Sequence, residues 1–250
     1  MPFSRPPWLR LRTVILLLLG LLFFWLVGWF VWKTWWYYNA IRTGKIDPAL
    51  EAVLSSSSSQ TEANSVVTAA DLLRLQNKKA PTLGTKGAPL TIVEFLDYDC
   101  PFCRDVAIPV RQLMEAYQDQ VFFVVRDFPI EALHPRAFFS ALAARCAQEQ
   151  GKYWPYHDKL FADQEQREDE DYQRFALEVG LDEKKFDTCY KSQKHKSLIQ
   201  EDVGDGVRVG VQGTPTFFFN GTRIQGALTR ELMEKLVQRF LAQTMTESGY

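Results

Sequence analysis

The chain has 250 residues, 46% of them apolar, and its 29 Lys and Arg against 30 Asp and Glu leave a formal net charge of −1. That is a globular composition, and its length allows one or two domains. The balanced charge argues against a bulk nucleic-acid role.

Residues 1–12 carry Arg5, Arg10 and Arg12 and no acid, and Thr13 to Trp32 is a run of twenty residues without a charge. At about 1.5 Å per residue a helix over this run spans the roughly 30 Å hydrocarbon core of a bilayer. The run is therefore read as a transmembrane helix. Trp35-Trp36-Tyr37-Tyr38 follows as an aromatic belt suited to the headgroup level, which sets the membrane segment at 13–38. The basic residues before the helix place 1–12 in the cytoplasm and everything after Lys33 outside it. The alternative is a cleaved signal peptide, but the apolar run is longer than the usual h-region and is followed by bulky aromatics rather than small residues. On either reading the remainder of the chain lies outside the cytoplasm, where disulfides persist.

Residues 39–79 read as a stalk. Ser55 to Ser59 with Gln60-Thr61-Glu62 is polar and low in complexity, so a flexible tether is expected, with a short helix near Asp71 to Gln76. Residues 80–245 then form an α/β domain, followed by a short tail, 246–250. Leu83-Gly84 and Gly87-Ala88-Pro89 are turn signals. Leu90 to Leu96 is an apolar strand, and on it alternation turns Val93 and Phe95 to one face and Ile92 and Glu94 to the other. An apolar companion leaves Glu94 either buried with a raised pKa or facing solvent.

The strand delivers Cys100, and Pro101-Phe102-Cys103 opens a helix that continues to Tyr117, with Pro109 expected to kink it. A cysteine at a helix N-terminus faces free backbone N–H groups and the positive end of the dipole, which stabilise its thiolate. Cys100 is thus the candidate nucleophile and Cys103, one turn on, the resolving thiol. Pro101 suits the first helical position. A CxxC also makes half of a structural zinc site, but no second ligand pair stands at workable spacing: Cys146 and Cys189 are isolated, and His134, His157 and His195 are scattered singly.

Val121 to Phe128 predicts a strand parallel to the first, completing a right-handed crossover. From Pro135 to about Arg208 the apolar spacing is helical, an insertion within the α/β domain. Its acidic run, Glu165 to Asp171, reads as a solvated loop or helix face. His134 reads as a cap or core residue and His157 as packed within the insertion. Beyond it, Gly213-Thr214-Pro215 precedes Thr216 to Phe219, and Asn220-Gly221 between β-prone runs predicts a tight hairpin. Thr229 is the expected cap of a last amphipathic helix over Glu231 to Phe240.

The strand-borne CPFC, the helical insertion, the late Gly-Thr-Pro before a hairpin and the terminal helix together resemble the DsbA family of thiol-disulfide oxidoreductases in its membrane-anchored, extracytoplasmic form. The resemblance covers about Leu83 to Ala242. It implies a thioredoxin fold with a helical insertion, preceded here by one transmembrane helix. It also implies a cis bond at Thr214-Pro215 beside the active-site sulfurs, with Thr214 offering backbone to a substrate strand and Glu94 relaying a proton to the inner sulfur. Pro101, Phe102 and Gly213 would contact substrate, and no cofactor beyond the redox-active disulfide is implied. Strongly oxidising members carry Pro-His between the cysteines. Phe102 in place of that histidine predicts a milder oxidant, as would Asp97, Asp99 and Asp105 if they approach Cys100.

Cys146 and Cys189, both in the insertion, are expected to be bridged outside the cytoplasm as a structural disulfide; a second redox pair is the functional rival. The function implied is disulfide formation in unfolded or exported thiol-containing proteins, with reoxidation by a quinone-linked membrane protein of the DsbB or VKOR kind. The same site run in reverse would make a reductase or isomerase. A non-catalytic binding or Cu(I)-handling module is the rival from another class, and the absence of Met or His near CPFC argues against the metal.

Overall fold

The computed structural model describes residues 7–42, 47–59, 67–165 and 167–247. The chain divides into an N-terminal unit, 1–51, and a larger one, 52–250. The first is dominated by helix α1, Pro7–Arg42, of 36 residues. Within it Leu17–Ala40, 24 residues of mean hydropathy 1.8, is long and apolar enough to cross a membrane. Its large side chains, among them Phe24, Trp25, Phe30 and Trp35, are exposed.

The segment expected to be a tether is partly helical. Helix α2, Pro48–Ser59, runs through the serine stretch. Pro48 occupies the position where no N–H is needed, and the Asp47 carboxylate accepts from the Leu50 N–H at 3.3 Å. Residues 60–62 of the expected tether lie outside the described residues. Helix α3, Ala69–Leu75, is capped by the Thr68 hydroxyl, which accepts from Asp71 N at 3.1 Å. Leu75, 1% exposed, lies in the core, so packing of the large unit starts before residue 80.

Five strands form one sheet, β1 (Thr82–Gly84), β2 (Leu90–Leu96), β3 (Val121–Asp127), β4 (Thr216–Phe219) and β5 (Thr222–Gln225), in the order β1-β3-β2-β4-β5. β2 and β3 are parallel, with Glu94 opposite Val125, and the other neighbours are antiparallel. Every residue of β2, β3 and β4 is buried, as a sheet covered on both faces requires. The turn expected at Leu83-Gly84 is instead the edge strand β1. Gly84 has φ +78°, and a Cβ there would lie 2.0 Å from the Val121 carbonyl oxygen, so only glycine brings this edge against β3.

Helix α4, Pro101–Ala116, crosses between β2 and β3 and runs on through Pro109. It buries Cys103, Val106, Ala107, Val110, Leu113 and Met114, one face at helical spacing. The insertion comprises α5 (Ala137–Gln148), α6 (Tyr153–Ala162), α7 (Asp169–Glu178), α8 (Glu183–Lys191) and α9 (Lys196–Arg208). Val93 and Phe95 point into a cluster with Leu75, Phe128, Val209 and Phe218. Gly206 of α9 lies against this face, where an added Cβ would meet the Phe128 ring at 2.7 Å. The hairpin turn holds Asn220 at φ 45° and Gly221 at φ 93°. Helix α10, Arg230–Glu247, closes the fold, with Phe240 stacked on Phe219 at 5.1 Å. It continues two residues beyond the boundary expected at 245.

Candidate active site

Asp97, at the end of β2 and 1% exposed, organises the turn into α4. Its carboxylate accepts from Asp99 N, Ile130 N and His134 Nδ1, each at 2.8 Å, while its backbone carbonyl accepts from Cys100 N at 3.2 Å. Asp99 accepts from Ser140 Oγ at 2.8 Å and pairs with Arg167 Nη2 at 2.9 Å. Asp97 and Asp99 are therefore spent on partners, and Asp105 is 66% exposed. None of the three dominates the electrostatics of Cys100.

Cys100 caps α4 in extended geometry with Pro101 behind it, and Cys103 N donates to Cys100 O at 3.1 Å. Both thiols are free. Cys100 is 5% exposed and Cys103 fully buried. The Cys103 thiol, foremost, lowers the Cys100 pKa to about 5 by donating to its sulfur; burial opposes, and Thr214 with the Cys103 and Phe102 N–H groups assists. Burial pushes Cys103 well above its ordinary value, and the neighbouring Cys100 adds to that. The two sulfurs are thus opposites: an outer thiolate and an inner thiol. This stabilisation arises without a histidine, from hydrogen bonds that the turn itself aims, and Phe102 is left 62% exposed beside it.

The loop before β4 brings the second half of the site. The Thr214-Pro215 bond is cis, and the Thr214 carbonyl oxygen lies 3.4 Å from Cys100 Sγ, which donates to it when protonated. Thr216 Oγ1 donates to Gly213 O at 2.6 Å and Gly226 N to Pro215 O at 2.9 Å, fixing this loop from both sides.

Glu94 is 2% exposed on β2, and its Oε1 has no hydrogen-bond partner among the described residues. Burial raises its pKa to about 8, and it contributes to the upward shift of Cys103. A carboxyl whose folded pKa lies above its unfolded value contributes stability that is fully present below the unfolded pKa, near 4.5, and lost as pH rises through about 8. Glu94→Gln is therefore expected to match the parent at pH 4 and to exceed it by up to about 1.4 kcal/mol for each pH unit across that window. Urea unfolding at pH 4, 7 and 9 measures this. Parallel pH profiles for the two proteins would show that Glu94 holds no proton.

Two residues of the site have no sequence signal. In the loop between α6 and α7, Gln164 Nε2 donates to the carbonyls of Tyr98, at 2.9 Å, and Cys100, at 2.8 Å. Arg167 Nη2 also donates to Tyr98 O, at 2.8 Å. The acidic run expected to be a solvated face thus contains a buried arginine, 5% exposed, that grips the active-site turn. These contacts join residues 64 to 69 positions apart, which no local pattern reports.

The remaining candidates separate from the turn chemistry. Cys146 of α5 and Cys189 of α8 are bridged, with Cα atoms 5.8 Å apart. His157 sits in an aromatic nest of Tyr98, Tyr153, Trp154 and Phe161, and burial lowers its pKa. His134 is drawn instead to Asp97, as described.

Comparison with known proteins agrees with this architecture. The family model described as Thioredoxin matches residues 76–239. A thioredoxin-like oxidoreductase from Silicibacter pomeroyi superposes with a TM-score of 0.59 at 29% identity, over 69% of this chain and 97% of its own. The thiol-disulfide exchange protein alpha-DsbA2 of Wolbachia pipientis has the same fold, with a TM-score of 0.60 at 22% identity over 78% of this chain and 99% of its own. Among curated proteins, the Na(+)/H(+) antiporter NhaA 1 of Mycolicibacterium gilvum is 37% identical over 145 residues, 57% of this chain and 24% of that protein. The NhaA antiporter of Herminiimonas arsenicoxydans is 30% identical over 66% of this chain and 26% of its own length. The chain spans about a quarter of the length of these curated relatives. The family model covers well over half of the chain and the solved structures repeat its fold, and the chain belongs to the thioredoxin family.

Proposed function

We propose that the protein is a membrane-tethered thiol-disulfide oxidoreductase that forms disulfides in exported polypeptides. The observation that carries this reading is the opposition of the two sulfurs: Cys100 lowered to about 5 beside the Thr214 carbonyl, Cys103 raised and sealed beneath it. In the oxidised enzyme a substrate thiolate attacks Cys100 Sγ, the Cys100–Cys103 bond breaks, and Cys103 takes up a proton, for which the buried Glu94 carboxyl is the proposed source. A second substrate thiolate then attacks the substrate sulfur of the mixed disulfide, and Cys100 leaves as a stable thiolate. The substrate has lost two electrons and the enzyme has gained them.

Exposed Phe102 would offer apolar contact to an unfolded chain, with Pro101, Gly213 and Thr214 as the other proposed substrate contacts. Helix α1 supports the tether, and the arginines at its start support a cytoplasmic N-terminus with the catalytic domain outside. Reoxidation needs a membrane electron acceptor, quinone-linked in this proposal, which a tether would keep at high effective concentration.

The reduction potential of the CPFC pair tests the direction. Equilibrated with glutathione in detergent, with Cys146 and Cys189 followed separately, the pair is expected at about −120 to −200 mV, within the range of thiol oxidants. A value near that of thioredoxin, about −270 mV, would reassign the same site to reduction or isomerisation.

A further inference from the structure

The sequence scatters Cys146, Cys189 and His195, but the fold gathers them. α5 supplies Cys146, α8 supplies Cys189, and the residue before α9 is His195. Both sulfurs and a ring nitrogen of His195 lie within 4.8 Å of one another, with the cysteines buried and the imidazole partly so. His195 Nε2 is 3.0 Å from Glu149 Oε1, which is itself held by Lys194 at 2.7 Å. A cavity of about 450 Å³ opens beside Cys189, lined also by Glu149, Asp182, Thr188 and Ser192.

From this cluster we infer that the Cys146–Cys189 disulfide masks a zinc site, which appears when the bond is reduced. Two thiolates, one imidazole and a fourth oxygen from Glu149 or water make a tetrahedral donor set of the kind Zn²⁺ takes. Two Zn–S bonds of about 2.3 Å at the tetrahedral angle need sulfurs about 3.7 Å apart, a separation that side-chain rotation reaches once the S–S bond is cut. The rim also carries Lys184, Lys185 and Lys194, so the attraction comes from the thiolates rather than from an acidic mouth. The chemistry balances: a dithiol reductant gives two electrons and becomes a disulfide, Cys146 and Cys189 become thiols, and both thiol protons leave when Zn²⁺ binds. This inference is independent of the proposed function and uses none of the CPFC residues.

The test uses the full chain in detergent with Cys100→Ser and Cys103→Ser, so that the active-site thiols cannot bind metal. Zn²⁺ affinity is measured by competition with a chromogenic chelator, before and after reduction. Co²⁺ in place of Zn²⁺ reports thiolate ligation by its charge-transfer band. One Zn²⁺ per chain is expected in the reduced protein only, weakened more than about tenfold by His195→Ala or Cys189→Ser and about tenfold by Glu149→Ala. Equal binding to the oxidised form, or binding indifferent to His195 and Cys189, would overturn the assignment, as would no binding by a folded reduced chain. Should reduction diminish the helical circular dichroism, Zn²⁺ is expected to restore it, and failure to do so would overturn the proposal equally.

Discussion

Cys100→Ser is expected to leave no measurable dithiol turnover, while Cys103→Ser retains attack and stalls as a mixed disulfide on Cys100. The asymmetry follows from burial. Cys103 has no exposed surface and is held protonated, whereas Cys100 sits at the helix cap with four hydrogen-bonding groups around its sulfur. Alkylation of the reduced protein by iodoacetamide, followed by peptide mapping, should therefore label Cys100 and spare Cys103. The Cys100 rate should titrate with a midpoint near pH 5, falling about tenfold per pH unit below it. A midpoint near that of an ordinary thiol, or equal labelling of the two, would contradict the assignment of roles. The same shift has a stability sign. Because the folded pKa of Cys100 is depressed, its contribution to the reduced form is present above the unfolded value, 9.0, and lost as pH falls through about 5. The melting temperature of the reduced protein should therefore fall relative to that of the oxidised protein on acidification.

Asp202→Ala should destabilise the large unit by about 3–5 kcal/mol. Asp202 on α9 accepts from Arg126 Nε at 2.6 Å, from Arg145 Nη2 at 2.6 Å and from Asp127 N at 3.1 Å. Arg126 and Arg145 have fully buried side chains. Arg126 also donates to Asp205, at 2.7 Å, and to the Leu75 carbonyl, at 2.9 Å; Arg145 donates to Asp127 and to the Lys79 carbonyl, at 3.0 Å. One network thus ties α3, β3, α5 and α9 together. Alanine at 202 removes one of the two carboxylates that neutralise each buried guanidinium and takes the acceptor from the Asp127 N–H, and buried charge with less compensation is costly. In a unit of this size that corresponds to a melting-temperature loss of about 10 °C or more. Thermal circular dichroism measures it, and a loss of under about 2 °C would mean that water reaches these groups and the network does not hold the insertion to the sheet.

The network also shows where reading the chain stops. Arg126 falls in a strand pattern as one polar residue among apolar ones, and nothing near it names Asp202 or Asp205 as partners 76 and 79 residues away. Gln164 and Arg167 are equally silent, lying in a stretch whose charge density suggests solvent. The edge strand β1 was hidden because three residues beside glycine carry more turn signal than strand signal; only pairing with β3 makes them a strand. Helix α2 was hidden by its serines, whose weak intrinsic preference is decided by the Asp47–Pro48 start rather than by composition.

The chemistry legible along the chain is that written within a dozen residues. The strand-to-helix junction, cysteines one turn apart with proline at the first helical position, the Asn-Gly hairpin and the apolar span of α1 follow from local geometry, because capping, period-two alternation and turn dihedrals depend on near neighbours. The tertiary structure decided what depends on distant groups. It brought the Thr214 carbonyl to Cys100, left Glu94 Oε1 without a hydrogen-bond partner among the described residues, clamped the active-site turn with Gln164 and Arg167, and set His195 beside the Cys146–Cys189 bridge. Desolvation and long-range hydrogen bonding are properties of the packed interior, and they exist only once the chain has closed around them.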